Sequence, residues 1–91
     1  MQTFDRPLKV GKTDNYTLSM SAQYLDSELI ASATATSADE SILTVGAVQH
    51  DGELISAFCT GVAAGEAEII FEWTTATRSG GERAKVKIEV L

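Results

Sequence analysis

The chain has 91 residues, one cysteine, one histidine and a formal net charge of −6. That length holds one domain with a single modest core. The acidic balance excludes the clustered Lys and Arg that nucleic-acid backbones require, and Cys59, standing alone, excludes an intrachain disulfide and fits folding in a reducing cytoplasm.

Residues 1–11 contain the only proline, Pro7, followed by Leu8-Lys9-Val10-Gly11. Proline cannot donate to a central ladder, so this segment is predicted as an N-terminal arm or edge strand. A single sandwich domain over 12–91 is expected to follow. The N-terminus shows no apolar signal-peptide core, and no run reaches the ~20 apolar residues of a membrane span. The chain starts at a methionine and stops at its last strand, as expected of a free-standing gene product.

Tyr16, Leu18 and Met20 alternate with Thr17, Ser19 and Ser21, the signature of a first strand with one apolar face. Asn15-Tyr16-Thr17 matches a glycosylation sequon, read as chance without a secretory signal. Ser21–Leu25 breaks the alternation, and Tyr24 and Leu25 are expected to tuck under the core from a short helical turn. Asp26-Ser27-Glu28 is turn-like. Leu29–Thr36 is a second strand, with Leu29, Ala31, Ala33 and Ala35 on one face. Their small size calls for a bulky neighbour, Trp73 or Phe71. Ile42–Val48 is a third strand, bent or bulged at Gly46.

Gln49–Glu53 is a turn cluster built on Asp51-Gly52. Leu54–Thr60 is a fourth strand, with Ile55, Ala57 and Cys59 inward and Phe58 outward. Ala67, Ile69, Phe71 and Trp73 then alternate with Glu68, Ile70, Glu72 and Thr74. After Arg78-Ser79-Gly80-Gly81, Ala84, Val86, Ile88 and Val90 alternate with Lys85, Lys87 and Glu89. These runs read as a hairpin joined by a Gly-Gly loop. Its apolar face carries Trp73 into the core. Its outer face sets Glu68 and Glu72 against Arg83, Lys85 and Lys87. Together the elements predict an all-β, immunoglobulin-like sandwich of about seven short antiparallel strands.

No catalytic constellation emerges. His50 stands beside Asp51 and Glu53, but three ligands within four residues of a tight turn rarely converge on one tetrahedral ion. Cys59 has no base near it in sequence and reads as a small buried hydrophobe. Gly61–Gly65 lacks the lysine and following helix of a phosphate loop. Glu66, Glu68 and Glu72 lie on a solvent face, with no cleft between paired carboxylates. The expectation is a non-enzymatic protein without cofactor or metal, binding neither nucleic acid nor membrane.

Several segments, in order, resemble a group of small tailed-phage virion proteins of the fibre–tail adaptor type. They are Asn15–Ser19, the Ser21–Leu25 turn, Glu28–Thr34, the Gly61–Gly65 corner and Thr74–Arg83. In the second half, Val48–Gly52 and Gly61–Ile69 are also similar to bacterial immunoglobulin-like repeats. Both resemblances imply an immunoglobulin-like sandwich. The first implies a virion protein, made in the host bacterial cytoplasm, that joins tail, fibre or capsid proteins and can form a homo-oligomer. The second keeps an adhesin or carbohydrate-binding module open as the alternative. Candidate contact residues are Phe4, Pro7 and Leu8 in the arm, His50 and Asp51 in one turn, and Arg78 and Glu82 at the hairpin tip.

Overall fold

A computed structural model describes residues 2–4, 7–19 and 29–91. It contains eight strand segments: β1 (Gln2–Thr3), β2 (Leu8–Lys9), β3 (Thr13–Ser19), β4 (Ser32–Ser37), β5 (Leu43–Asp51), β6 (Leu54–Gly61), β7 (Gly65–Thr74) and β8 (Ser79–Glu89). They form two stacked sheets. One runs β1-β8-β7-β4, with β2 also on β8, and the other runs β3-β6-β5. Counted with β1 and β2 as one interrupted edge, this is a seven-stranded sandwich. Its order matches the immunoglobulin arrangement, in which the second, fifth and fourth strands share one sheet and the third, sixth and seventh share the other.

The alternation drives the core. Tyr16 and Leu18 from β3 and Ile55, Ala57 and Cys59 from β6 meet Ile69, Phe71 and Trp73 from β7 and Ala84, Val86 and Ile88 from β8, all buried. Full burial of each large aliphatic or aromatic side chain among them is worth about 1.5–3 kcal/mol. Ile55, Ala57 and Cys59 face inward and Phe58 outward, as the alternation predicts. The Ser21–Leu25 turn, the Asp26–Glu28 turn and the end of the first strand at Met20 fall outside the described residues.

The structure corrects four expectations. First, not every strand pairing is antiparallel: β1 and β2 lie as edge strands, one of the two forms expected for residues 1–11, and pair with β8 in parallel. Leu8 is 3% exposed in the core. The segment then crosses to the second sheet: Val10 N–H donates to Glu89 O, and Gly11 N–H donates to Gly61 O at 2.8 Å.

Second, the strand after the described gap begins at Ser32 rather than Leu29. Ala33 and Ala35 do sit beside Trp73 and Phe71, as cross-strand partners within one sheet. Leu29, however, is exposed and Ile30 is buried, the reverse of the predicted facing. Residues 30 and 31 are held between the sheets, which resets the alternation. Ile30 N–H donates to Gly52 O at 3.0 Å, and Ala31 N–H donates to Thr74 O at 2.7 Å.

Third, β5 extends past the predicted turn to Asp51. The register shift between Val45 and Val48, at the predicted position of Gly46, lets the strand continue with Gln49 and His50 paired to Ser56 and Ile55. Asp51 pairs with Leu54, so only Gly52 and Glu53 form the loop. Gly52 adopts φ 60°, and glycine at the first position of such a two-residue loop favours a turn whose twist matches the strands.

Fourth, the final hairpin turns at 75–78, not at the Gly-Gly pair. Thr74 pairs with Ser79, and Trp73 with Gly80. Thr75 closes the loop: its N–H donates to Arg78 O at 2.7 Å, and its Oγ1 accepts from Arg78 N–H at 3.0 Å. Gly80 instead makes room for the indole. A Cβ there would lie 2.7 Å from Trp73 Cζ2 and 3.0 Å from Cε2.

Candidate interaction surfaces

Three regions are positioned to make contacts. The first is the end of the sandwich where the β5–β6 and β7–β8 turns meet. Residues 30 and 31 tie both turns together through consecutive backbone N–H groups. This places His50, Asp51 and Arg78 at the same end, all exposed, with the exposed Leu29 beside Gly52. The separate sequence signals of residues 49–53 and 78 thus lie at one end of the sandwich. Glu82 does not join them, because it lies within β8 opposite Phe71, half-buried.

The N-terminal candidates separate. Leu8 has no surface to offer a partner. Phe4 is half-buried, its ring 4.8 Å from that of Tyr16 and 6.5 Å from that of Phe71. Such tilted and edge-on packing belongs to a core margin. Pro7 is exposed between β1 and β2, beside an open groove shared with Thr3, Glu66, Lys87 and Glu89.

The two outer faces differ in chemistry. On the face of β8, β7 and β4, Glu66 lies opposite Lys87 and Glu68 opposite Lys85. Arg83 Nη1 donates to Glu68 Oε1 at 3.1 Å. Toward the loop end of this face an open depression of about 380 Å³ lies over Gly80 and Gly81, walled by Ser32, Thr34, Glu72, Thr74 and Ser79. It holds one carboxylate, Glu72, whereas glycoside hydrolysis ordinarily takes two across the scissile bond. Trp73, which also lines it, is only 4% exposed.

The outer face of β3-β6-β5 was missed by sequence reasoning. Register places Thr13, Thr60 and Thr44 in one row, Asn15 and Phe58 in the next, then Thr17, Ser56 and Gln49, then Ser19, Leu54 and Asp51. Among the described residues of these rows only Asp51, at a corner, carries charge. Thr13 and Thr60 share a hydroxyl hydrogen bond of 2.8 Å, and Thr17 and Ser56 one of 3.1 Å. Phe58 and Leu54 are each 41% exposed on the central strand. The outward alternation of each strand is readable in the sequence. Their union on one face is not, because β6 sits between β3 and β5 while β4 leaves for the other sheet.

Chemistry is sparse elsewhere. Among the described residues no three His, Cys, Asp or Glu side chains group where they could share a metal ion. Burial, and secondarily the charge of Asp14, pushes the Cys59 thiol from 9.0 up to about 12. It therefore stays protonated and a poor nucleophile at neutral pH. Among the described residues no helix is long and apolar enough to cross a membrane.

No protein-family model matches the chain, and no curated protein matches it. Solved structures similar in fold include two from longer proteins. An endo-fucoidan hydrolase from glycoside hydrolase family 107 superposes with a TM-score of 0.65 and 21% identity, over 98% of this chain and 12% of that one. Domains 4 and 5 of the S-layer protein SbsC superpose with a TM-score of 0.59 and 16% identity, over 99% of this chain and 41% of that one. At such identities the likeness concerns the fold alone. The chain spans less than half the length of either neighbour.

Proposed function

We propose that this chain is a non-enzymatic assembly module that works through protein–protein contacts on its sheet face and loop end. The observation that carries this reading is the segregation of the two outer faces. One is a paired-charge lattice. The other is uncharged but for a corner, with an aromatic and a leucine standing out on its central strand. Loss of charge with a protruding aromatic is the pattern of contact surfaces.

The resemblance of the segments from Asn15 to Arg83 to small tailed-phage virion proteins supports a particular form of this module, a virion adaptor or decoration subunit that joins tail, fibre or capsid proteins. Quantitative mass spectrometry of purified particles tests that form. A fixed copy number per particle supports it, and absence from particles rules it out.

A second reading has one observation in its favour. The fold neighbours are segments of longer proteins, one a hydrolase and one an S-layer protein. An adhesin or carbohydrate-binding module within a longer chain has the same architecture. Saturable binding on a glycan array, lost when surface side chains rather than core ones are changed, favours this second reading over the first.

A further inference from the structure

We propose that the outer face of β3-β6-β5 is a self-association surface, occupied by the same face of a second copy of this chain. The inference rests on the reading of the chain as a contact protein and names its partner. Two observations select a second copy, and a third bears on the strength of the contact.

The first is charge. A chain of net −6 repels its own kind. The β3-β6-β5 face lets two copies meet with no like charges opposed at its centre, because Asp51 stands at a corner. The second is hydrogen bonding. Thr13, Thr17, Thr44, Thr60, Ser56 and Gln49 each carry groups that both donate and accept. A two-fold contact brings a patch against itself, so it demands a surface able to serve both roles. The opposite sheet meets this condition poorly, since its Glu and Lys columns would have to register across the axis.

The third is shape and area. The face is three strands wide and, along β3, seven residues long. At about 4.8 Å between strands and about 3.3 Å per residue it spans roughly 14 by 23 Å. That is about 330 Å², short of the ~800 Å² per partner of a stable complex. A contact below standard size is of the weak, transient kind, and its affinity is set by the quality of the contact rather than by area alone. A contact of that strength serves an assembly in which many copies are held together by repetition or by a third component. Phe58, near the middle of the face, is brought close to its own counterpart across the axis.

The test is sedimentation equilibrium of the full chain from about 10 µM to about 1 mM. The expected result is a rise in mean mass toward the dimer at the high end. Phe58→Asp and Phe58→Lys should each weaken association at least tenfold, while an equimolar mixture of the two recovers it. Thr17→Lys, on the rim, should weaken it without a core residue being touched. Lys87→Glu, on the opposite sheet, should leave it unchanged. Circular dichroism and melting of each variant separate loss of contact from loss of fold, since residues 17 and 58 point to solvent. A chain that stays monomeric at 1 mM overturns the proposal, as does association abolished by Lys87→Glu but indifferent to residue 58. Retention on an insoluble polysaccharide through this face also overturns it. Particle proteomics stands apart: a monomer found in particles leaves the assembly reading intact and removes only self-association.

Discussion

Replacing Gly80 by alanine probes the packing that the hairpin was built around. Trp73 has Ala33 on one side and Gly80 on the other, in register across three strands. Optimal carbon–carbon contact is about 3.5–4.0 Å. The new methyl would sit 2.7 Å from Trp73 Cζ2 and 3.0 Å from Cε2, so the ring must retreat by about 1 Å toward β4. Overpacking of this kind costs about 1–3 kcal/mol. Alanine returns about 0.4–1 kcal/mol by restricting the unfolded chain. Taking the middle of each range, the expected net loss is about 1.3 kcal/mol, or roughly 5–10 °C in melting temperature for a domain of this size.

Urea denaturation followed by the fluorescence of Trp73, the only tryptophan, measures it directly. In the Trp73→Phe background the smaller ring should reduce the cost of Gly80→Ala, giving a coupling of about 1 kcal/mol in a double-mutant cycle. Gly46→Ala is the control, because its Cβ would make an ordinary contact at 3.5 Å from Phe58 O. If Gly80→Ala is as stable as the parent, the indole does not lie over residue 80. The strand assignment of the Gly-Gly pair then fails with it.

Two further predictions concern the segments that sequence and structure read differently. Leu8→Ala should cost about 2–5 kcal/mol, as expected for a buried leucine, and deletion of residues 1–10 should cost at least as much. An unchanged melting curve for either would return the segment to the status of a free arm. Cys59 should resist alkylation in the native state and react at the rate of unfolding. Its folded pKa is raised, so its contribution is fully present below pH 9.0 and is lost as pH rises toward about 12. In that window each pH unit should remove about 1.4 kcal/mol. Comparison of the alkaline unfolding slopes of the parent and Cys59→Ala isolates this from the titration of Lys and Tyr.

Much of the fold was legible because period-2 alternation maps directly onto a sandwich with one core. Ile55, Ala57 and Cys59 faced inward, and the irregularity at Gly46 marked a real register shift. What misled was the dual meaning of glycine. Gly80 and Gly81 carry the composition of a turn, yet the first is required by a ring two strands wide in its demands, and the turn is made by Thr75 and Arg78 instead. Leu29 and Ile30 misled for a different reason. Their facing follows the hydrogen bonds of the Ile30 N–H to Gly52 O, in the β5–β6 turn, and of the Ala31 N–H to Thr74 O, on β7, which no local pattern encodes. Pro7 suggested an arm or an edge strand, and the parallel pairing on β8 that absorbs Leu8 is non-local in the same way. For the candidate surfaces, residues 49–53 and 78 stood out separately as turn chemistry. Their meeting at one end, and the neutral face of β3-β6-β5, appear only once strand order is known.

The most direct test of the central claim is amide chemical-shift mapping of the labelled chain between about 50 µM and about 1 mM. A contact module that meets its own copy through the neutral sheet should show concentration-dependent shifts centred on Asn15, Ser56 and Phe58. Arg83, Lys85 and Lys87 should remain still. Unchanged spectra over the whole range, or shifts confined to the charged face, would contradict the account.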